Sequence, residues 1–447
     1  MNTYSPLTKK DKQTMLSDIG ASSVAELFAD TPKEKLVKDF SLPSPISEID
    51  LDKELKNLSA KNYSNEGRLC FLGAGAYNHF IPAAVNHLVK RSEFYTAYTP
   101  YQPEMSQGML QAIFEYQTYI CMLAGMDVAN ASLYDGATAL AEAAAIAYHK
   151  TNRKKLLVSR VVHPERRAVL KTYAGAADKA IEEIPYDKNG ATDLNALEKM
   201  LGPDVAGVVI PQVNFFGVIE DLSLAKDAVK KNGSLFIATF DPISMGIVTP
   251  PGELGVDIAV GEGQSLGGNI SFGGPCLGLF ACTKELIRYV PGRLVGQTVD
   301  DQNRRGFVLT LQAREQHIRR EKAASNICSN EALNALSASV YLSLLGKNGL
   351  KKVAELCLSK ANYLKAQIEK TKGFSGVFVG PIFKEFVVKT STTPKELNKK
   401  LAKSNIIGGL DLEKFYPELK NHWLLCVTEV LSKEEIDQLV GAIKSAG

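Results

Sequence analysis

The chain has 447 residues, with 52 Lys and Arg against 49 Asp and Glu, so its formal net charge is only +3. So small a net charge gives no strong positive field, which argues against a general nucleic-acid-binding surface. Hydrophobic residues make up 45% and charged residues 23%, an ordinary globular composition that argues against disorder. No apolar run reaches the roughly 18 residues of a membrane span, and the first residues contain no segment of signal-peptide type. We therefore expect a cytoplasmic protein of two or three domains.

Cysteine and histidine usage points the same way. Seven cysteines are scattered without a CxxC pair, and the six histidines show no zinc-type spacing. The nearest pair, Cys276 and Cys282, falls on one predicted strand. We expect buried, reduced thiols and no metal site.

Residues 1–65 are predicted to form a helical arm laid over the body of the protein, because they lack the apolar content for a core of their own. Short polar segments are interrupted by prolines, and Ser47 begins a capped amphipathic helix with the sequence SEIDLDKELKNL. After an aromatic, proline-rich stretch, MSQGMLQAIFEYQTYICMLAG predicts a long, largely buried helix that ends at Gly125.

Residues 66–325 are predicted to form a large α/β domain. Short apolar runs alternate with segments of helical period, and the runs are continuous rather than alternating, as in strands buried on both faces. We expect a mostly parallel sheet with helices on both sides, built from the runs KLLVS, VAGVVI, SLFIATF, DIAVG and CLGLFAC.

Residues 326–447 are predicted to form a smaller α+β domain. Two helical stretches at 330–346 and 350–371 are followed by the strand-like FSGVFVG and FKEFVVK, a helix at 393–403, and the strand-like WLLCVTEV. The last helix begins with SKEE, which has the spacing of a capping box.

Two positions in the large domain are suited to bind a phosphorylated cofactor. A turn at Gly136, Ala137 and Thr138 opens an Ala-rich helix, and free amides at a helix N-terminus bind phosphate. Asp241 ends SLFIATF, where an α/β sheet places ligands, and pyridoxal phosphate enzymes pair such an Asp with the pyridine nitrogen. Each also has a simpler explanation, an ordinary helix cap and an Asp-Pro turn.

Two further features complete the pattern. His163 follows a strand and could stack on a planar cofactor, or could be an ordinary strand-end histidine. The stretch GEGQSLGGNISFGGPCLG at 261–278 is rich in glycine but is not a P-loop, and tight chain packing explains it equally well. In chain order the turn, His163, Asp241 and the glycine-rich stretch resemble a fold-type I pyridoxal phosphate enzyme, which needs a lysine roughly 20–40 residues after the Asp.

That lysine is missing. No lysine occurs between Lys231 and Lys284, although the average density of this lysine-rich chain would place about four or five there. The other features of a fold-type I enzyme are present in the sequence, but the segment expected to contain its cofactor lysine has no lysine.

Longer motifs make the resemblance specific. TAYTPYQPEMSQGMLQAIFEYQT, VTPPGELGVDIAVGEGQSLGGNISFGGP and TLQAREQHIRREKAASNIC closely resemble the N-terminal half of the glycine cleavage system P-protein, glycine dehydrogenase (decarboxylating). The resemblance extends from about residue 5 to the C-terminus, and the length of the chain is similar to that of subunit 1 in the split form of the family.

The resemblance implies a division of labour. In the split form the cofactor lysine belongs to subunit 2, and this chain has Gln264 or a neighbour at the corresponding position. It further implies a heterotetramer of two subunits of each kind, in which glycine is decarboxylated on the pyridoxal phosphate of subunit 2 and its aminomethyl group passes to lipoyl H-protein. Gly136, Ala137, Thr138, His163 and Asp241 would then be remnants of a duplicated site.

Two segments are expected to reach the partner. The loop YTAYTPYQPE supplies Tyr95, Tyr98, Tyr101 and Glu104, which could line the partner's substrate pocket or only pack an interface. A second segment, predicted as a helix after a strand, is expected to make subunit contacts or bind a carboxylate, or to be merely solvated, through Arg314, His317, Arg319 and Arg320.

Two other functions stay open from the sequence. One is an independent pyridoxal phosphate enzyme, such as an aminotransferase or desulfurase, using a distant lysine such as Lys284. The other is a purely structural subunit that contributes nothing to its partner's pocket.

Overall fold

The computed structural model describes residues 4–37, 41–323 and 325–446. Contacts divide the chain into two compact units, one up to Ser64 and one from Asn65 onward, and the division into three domains stays a prediction. In the first unit the helices are α1 (Lys9–Asp18) and α2 (Glu48–Ser59). The predicted cap of α2 is confirmed, because the Ser47 hydroxyl accepts a hydrogen bond from the Asp50 amide.

The second unit contains the remaining elements. Its helices are α3 (Ala83–Val89), α4 (Ser92–Tyr95), α5 (Pro103–Ala124), α6 (Gly136–Thr151), α7 (Pro164–Ala176), α8 (Leu194–Met200), α9 (Ser223–Asn232), α10 (Gln316–Arg319), α11 (Ala332–Glu369), α12 (Pro394–Ala402) and α13 (Lys433–Ala446). Its strands are β1 (Leu69–Cys70), β2 (Val128–Ala129), β3 (Lys155–Ser159), β4 (Ala180–Ile184), β5 (Val205–Pro211), β6 (Leu235–Phe240), β7 (Ile258–Glu262), β8 (Gly278–Cys282), β9 (Leu294–Val299), β10 (Arg305–Thr310), β11 (Phe374–Gly376), β12 (Glu385–Thr390), β13 (Ile406–Ile407), β14 (Leu410–Asp411) and β15 (His422–Cys426).

The central sheet has seven strands in the order β2-β8-β7-β6-β5-β3-β4. Strands β3 to β7 pair in parallel, and β8 is antiparallel to both of its neighbours. Successive residues of β6, Phe236 and Ile237, enter two different hydrophobic clusters, one on each face of the sheet. Helices cover both faces, which explains why these strands are continuously apolar. The predicted mostly parallel sheet is confirmed.

The sheet topology places the ends of several strands at one edge. Parallel strands β6 and β7 end there at Phe240 and Glu262, and the antiparallel β8 begins there, since Gly278 pairs with Glu262. At the opposite edge Cys282 pairs with Ile258, the first residue of β7. Lys284, two residues beyond Cys282, therefore lies at the edge away from Asp241.

The C-terminal region contains a second, antiparallel sheet in the order β11-β12-β15-β14. Residues of α11, α12 and α13 pack with it in one hydrophobic cluster. Helix α11 spans both predicted helical stretches and is broken at Gly346, whose φ is 57°. The predicted capping box is confirmed: Ser432 and Glu435 exchange side-chain and backbone hydrogen bonds.

Three local predictions need correction. The segment after β10 is not one helix but a series of single turns, because Glu315 has an extended backbone and Arg320 has a positive φ, and each interrupts the helical path. Cys276 lies outside β8, which begins at Gly278. All seven cysteines are free, but only three are buried, and Cys328 is exposed.

No helix in the described part of the chain combines the length and apolar character needed to cross a membrane.

Candidate functional site

A small polar pocket lies at the edge of the central sheet where the parallel strands end. Its lining brings together His163 and Asp241, two of the residues predicted from the sequence, with Arg166, Glu262 and Glu385. The cavity measures only about 50 Å³, against roughly 300–1,000 Å³ for ordinary small-molecule sites. A cavity of this size holds a few water molecules.

The predicted phosphate-binding turn is occupied by two carboxyl groups of the chain itself. Asp135 caps α6, and its Oδ1 accepts hydrogen bonds from the amides of Ala137 at 2.8 Å and Thr138 at 2.7 Å. The third free amide, that of Gly136, donates to Oε2 of Glu262 at 2.9 Å. The donors that would bind a phosphate are therefore already satisfied.

Glu262 is a residue of the pocket that the sequence interpretation missed. It ends β7, and its Oε1 also accepts from the amides of Gln264 and Leu277, both at 2.9 Å. Burial raises the pKa of the Glu262 carboxyl, against the amides that lower it. Glycine at position 136 allows this approach, because a Cβ there would meet the Glu262 backbone nitrogen at 3.0 Å. A carboxylate at a strand end within a glycine-rich stretch was the available signal.

Asp241 forms an ion pair with Lys384, a second pocket-side residue that the sequence interpretation missed. Nζ of Lys384 lies 2.6 Å from Oδ2 of Asp241, and both side chains are almost fully buried. Burial alone would raise the pKa of Asp241, but the adjacent ammonium more than offsets this and holds the pKa below its ordinary value. The pKa of Lys384 is correspondingly raised, despite burial, by the attraction of Asp241. Lys384 is thus held as a cation.

A wider network surrounds this ion pair. The Lys384 ammonium lies 3.5 Å from the centre of the Tyr77 ring, a cation–π contact. The Tyr77 hydroxyl donates to Glu385 at 2.7 Å, and the other oxygen of Glu385 accepts from the Ala74 amide at 2.6 Å. The start of β12 is therefore joined to the 74–77 segment and to the end of β6.

Three potential metal ligands lie at the far side of this network. Ligand atoms of His79, Cys357 and Glu429 are within 4.8 Å of one another. They already bind each other, with His79 Nδ1 and Cys357 Sγ lying 2.7 and 3.5 Å from Glu429 Oε2. Lys384 donates to the other ring nitrogen of His79 at 3.4 Å. Because a metal ion would adjoin this ammonium, we interpret the cluster as a hydrogen-bond network.

His163 faces the pocket but is engaged within the chain. Its Nδ1 accepts from the Glu165 amide at 3.2 Å, so Nε2 carries the proton and donates to the Ala74 carbonyl at 2.8 Å. The ring packs edge-on against Phe215, with centroids 4.8 Å apart. Burial, together with the nearby Arg166, lowers the pKa of His163 to about 4. The imidazole is neutral, and the cavity beside it is too small for a cofactor ring.

Gln264, the residue expected near the cofactor lysine, binds backbone. Its Oε1 accepts from the Tyr77 amide at 3.0 Å, and its Nε2 donates to the carbonyls of Tyr77 and Gly268 at 3.1 and 2.7 Å. The side chain is 6% exposed. Gln264 therefore holds the 74–77 segment against the end of β7.

Pyridoxal phosphate does not fit the residues of this pocket. Its phosphate would meet the carboxyl groups of Asp135 and Glu262, and its pyridine nitrogen would compete with Lys384 for Asp241. Neither lysine considered suits covalent attachment: Lys384 is a paired cation at the end where the ring nitrogen would lie, and Lys284 is exposed at the opposite edge of the sheet.

The tyrosine loop lies outside this pocket. Tyr95, Tyr98 and Glu104 are exposed and do not line the pocket, and Tyr98 is 86% exposed. Within the described residues neither the Tyr98 hydroxyl nor the Glu104 carboxylate has a hydrogen-bond partner. Tyr101 differs, because its hydroxyl accepts from Arg293 at 3.3 Å and its ring contacts His317.

The arginine-rich segment divides in a similar way. Arg314 folds inward, where a guanidinium nitrogen donates to the Val290 carbonyl, and His317 packs on Tyr101 with ring centroids 5.9 Å apart. Arg319 and Arg320 are exposed, and Arg319 lines a separate cavity beside Glu142. The four side chains therefore do not form one carboxylate-binding cluster.

Comparisons with known proteins agree with this architecture. The family model of the glycine cleavage system P-protein matches residues 2–443. A Moorella thermoacetica protein named "Probable glycine dehydrogenase (decarboxylating) subunit 1" is 53% identical over 443 residues, which cover 99% of each chain. A solved glycine decarboxylase (P-protein) in inhibitor-bound form is 43% identical with a TM-score of 0.93, over 99% of this chain and 100% of that one.

A more distant structure shares the fold alone. Glutamate decarboxylase of Lactobacillus brevis is 12% identical, with a TM-score of 0.70 over 94% of this chain and 97% of its own. The expected fold class, that of fold-type I pyridoxal phosphate enzymes, is thereby confirmed. The chain belongs to the glycine cleavage system P-protein family, and within it to the relatives of glycine dehydrogenase (decarboxylating) subunit 1.

Proposed function

We propose that the chain is the subunit of a two-part glycine dehydrogenase (decarboxylating) that holds no pyridoxal phosphate of its own. The cofactor, on which this family depends, is bound covalently by a partner of the subunit 2 type. Together the two chains decarboxylate glycine and transfer its aminomethyl group to the lipoyl arm of H-protein. A heterotetramer with two copies of each subunit in the cytoplasm is the assembly we expect.

The filled cofactor site is the observation that carries this proposal. Glu262 and Asp135 satisfy the amides at the start of α6, and Lys384 neutralises Asp241. These contacts put side chains of like sign where a cofactor would bring its charges: carboxyl groups in place of the phosphate anion and an ammonium in place of the pyridinium cation. The pocket therefore suits a chain that keeps the fold while another chain performs the chemistry.

The outward loop supports a contribution to the partner's pocket. Sites in this fold class commonly lie at subunit boundaries, and Tyr98 and Glu104 expose unpaired polar groups away from the chain's own pocket. We propose that Tyr95, Tyr98 and Glu104 line the partner's glycine site. Arg319 and Arg320 are proposed as subunit contacts, because both are exposed near His317 and Tyr101.

Cofactor binding by the separate subunits tests the first part. The purified chain mixed with pyridoxal phosphate should show no absorbance of bound cofactor and no lysine labelled after borohydride reduction. Addition of a subunit 2 should give a stable complex with glycine–CO2 exchange activity. A labelled lysine in the chain alone would establish the independent enzyme instead, and no complex formation would refute the two-part reading.

Substitutions in the outward loop test the second part. In the assembled complex, Tyr98→Phe and Glu104→Gln should each lower kcat/KM for glycine roughly tenfold, the loss of about one hydrogen bond at the site. Glu198→Gln, a change of an exposed carboxylate on α8, is the matched control and should have no effect. Unchanged kinetics in both loop variants would leave the chain as a purely structural subunit.

A further inference from the structure

We propose that Arg293 is the positioning residue for the tyrosine loop, residues 95–104, and that Tyr101 is the anchor it holds rather than a residue of the partner's pocket. The inference rests on the proposed function, because it concerns how the loop that serves the partner is kept in place. It also revises the expectation that Tyr95, Tyr98, Tyr101 and Glu104 act alike.

Through its side chain, Arg293 joins two separate parts of the chain, Tyr101 and the segment 328–330. It precedes β9 and is 3% exposed. One terminal nitrogen donates to the Cys328 carbonyl at 2.8 Å and to the Tyr101 hydroxyl at 3.3 Å. The other lies 3.3 Å from the Ser329 hydroxyl and 3.4 Å from Oδ1 of Asn330. A planar guanidinium can reach such separate acceptors, whereas a lysine ammonium cannot match the fork.

The platform beneath this guanidinium belongs to the core. The carbonyl of Arg293 accepts from the Ala131 amide at 2.9 Å. The Asn330 side chain donates to the Ala131 carbonyl at 2.7 Å, and the Glu331 amide donates to the Ser132 hydroxyl at 3.0 Å. These bonds join the 328–331 segment to the buried chain leading into α6. Tyr101 is therefore held, through Arg293, against a buried part of the chain.

Packing alone does not explain why an arginine is buried at position 293. Within the described residues no carboxylate lies within ion-pair distance of it, and its Nε has no hydrogen-bond partner. Glu315, which is 5% exposed, is a nearby acid. The positive charge of Arg293 favours the ionised form of Glu315, but the two side chains make no direct contact. A buried cation without a paired anion costs free energy, which an apolar side chain of similar volume would avoid. The geometry it imposes on Tyr101 accounts for its presence.

Tyr101 is held from both sides. The Arg293 guanidinium lies 5.4 Å from the centre of its ring, and the His317 ring packs against it. Its hydroxyl accepts a hydrogen bond from Arg293, which fixes the position of the oxygen although the residue is 47% exposed. Tyr98, three residues earlier, has no such partner and is 86% exposed. The loop is thus held in place at Tyr101 and turned toward solvent at Tyr98.

A double-mutant experiment in the assembled complex with subunit 2 tests the assignment. Arg293→Lys and Tyr101→Phe should each lower kcat/KM for glycine roughly tenfold, since each breaks the charge-assisted bond that holds the loop. Combining them should lower it no further than Arg293→Lys alone. Arg293→Lys should also have little added effect in a Tyr98→Phe background, because the positioned group is already lost.

The controls separate positioning from folding. Arg304→Lys, a change in the exposed turn after β9, should leave activity unchanged. Complex formation by gel filtration should be the same for all variants, and if Arg293→Lys fails to fold, Tyr101→Phe and its combination with Tyr98→Phe decide the question. Reduced activity in Tyr98→Phe with full activity in Arg293→Lys and Tyr101→Phe would overturn this inference alone. Full activity in Tyr98→Phe and Glu104→Gln would overturn the proposed pocket contribution and the inference with it.

Discussion

Removal of the Lys384 ammonium is the most direct probe of the filled site. Lys384→Met keeps the length and apolar stem of the side chain but leaves Asp241 without its cation. The pair is separated by 2.6 Å, and the two side chains are 1% and 11% exposed. The variant therefore leaves a buried, uncompensated carboxylate. Removing one partner of a buried ion pair in this way destabilises a protein more than replacing both partners does.

The expected loss of stability is about 3 kcal/mol, at the low end of the roughly 3–5 kcal/mol typical of a broken buried pair. Two features place it there. Asp241 keeps hydrogen bonds from the amides of Ile243 and Ser244, and the small polar cavity beside it can admit water. With an unfolding entropy near 2.1 cal/mol/K per residue, the unit from Asn65 onward should melt roughly 4 °C lower.

Thermal denaturation of the full chain, followed by circular dichroism at pH 8, measures this loss. Asp241→Asn should also destabilise, because it leaves the Lys384 ammonium unpaired. The double variant should melt closer to the unmodified chain than either single variant does, since no isolated charge remains. In Lys384→Met the defect should shrink as the pH falls, because the unpaired Asp241 can then take up a proton.

Two results would refute this reasoning. A melting temperature of Lys384→Met within 1 °C of the unmodified chain would mean that the ion pair contributes nothing that water cannot replace. Additive losses in the double variant would mean that the two residues act independently, despite the short distance between them.

Two further predictions concern the dependence of stability on pH. The pKa of His163 is lowered to about 4 from an ordinary 6.5, so the unfolded chain binds more protons between these values, and His163 contributes a loss of about 2 kcal/mol as the pH falls from 8 to 5. His163→Gln should reduce that slope in urea denaturation, and an unchanged slope would contradict it. The pKa of the buried Glu142 is raised by burial to about 7 from 4.5, so here the folded chain binds more protons and stability falls as the pH rises. Glu142→Gln should accordingly stabilise the chain by roughly 1–3 kcal/mol at pH 8 and not at pH 5, and equal effects at both pH values would count against it.

The fold was predictable where burial on both faces leaves a simple pattern. The apolar runs of β5 and β6 predicted central strands, and Gly125, with a φ of 64°, ends α5 as expected. Strand β4 was missed because it is an edge strand of the sheet, and four of its five residues, including Glu182, are exposed or partly exposed. Exposed edge strands lack the continuous apolar run by which central strands are recognised.

The site was only partly predictable, for a related reason. Positions at strand ends and helix starts, such as Asp241 and Gly136, follow from local rules of the fold class. Their partners do not, because Lys384 and Glu262 reach them from distant parts of the chain. One local signal existed: adjacent strand residues point to opposite faces, so Lys384 and Glu385 beside an apolar strand imply a buried charge on at least one face.

Under the proposed function, the carboxyl group of Glu262 and the ammonium of Lys384 would make cofactor binding hard to regain by single substitutions. A lysine introduced at position 264 would face a helix start whose Gly136 amide already binds Glu262, and an Asp241 already paired with Lys384. Removal of Lys384 alone would leave the buried Asp241 carboxylate without its cation, and removal of Glu262 alone would leave the Gly136 amide without its acceptor. Each of these single changes would lower the stability of the chain without clearing the whole site. Under the proposal, the packed interior of this chain would thus keep the catalytic and accessory roles in separate subunits.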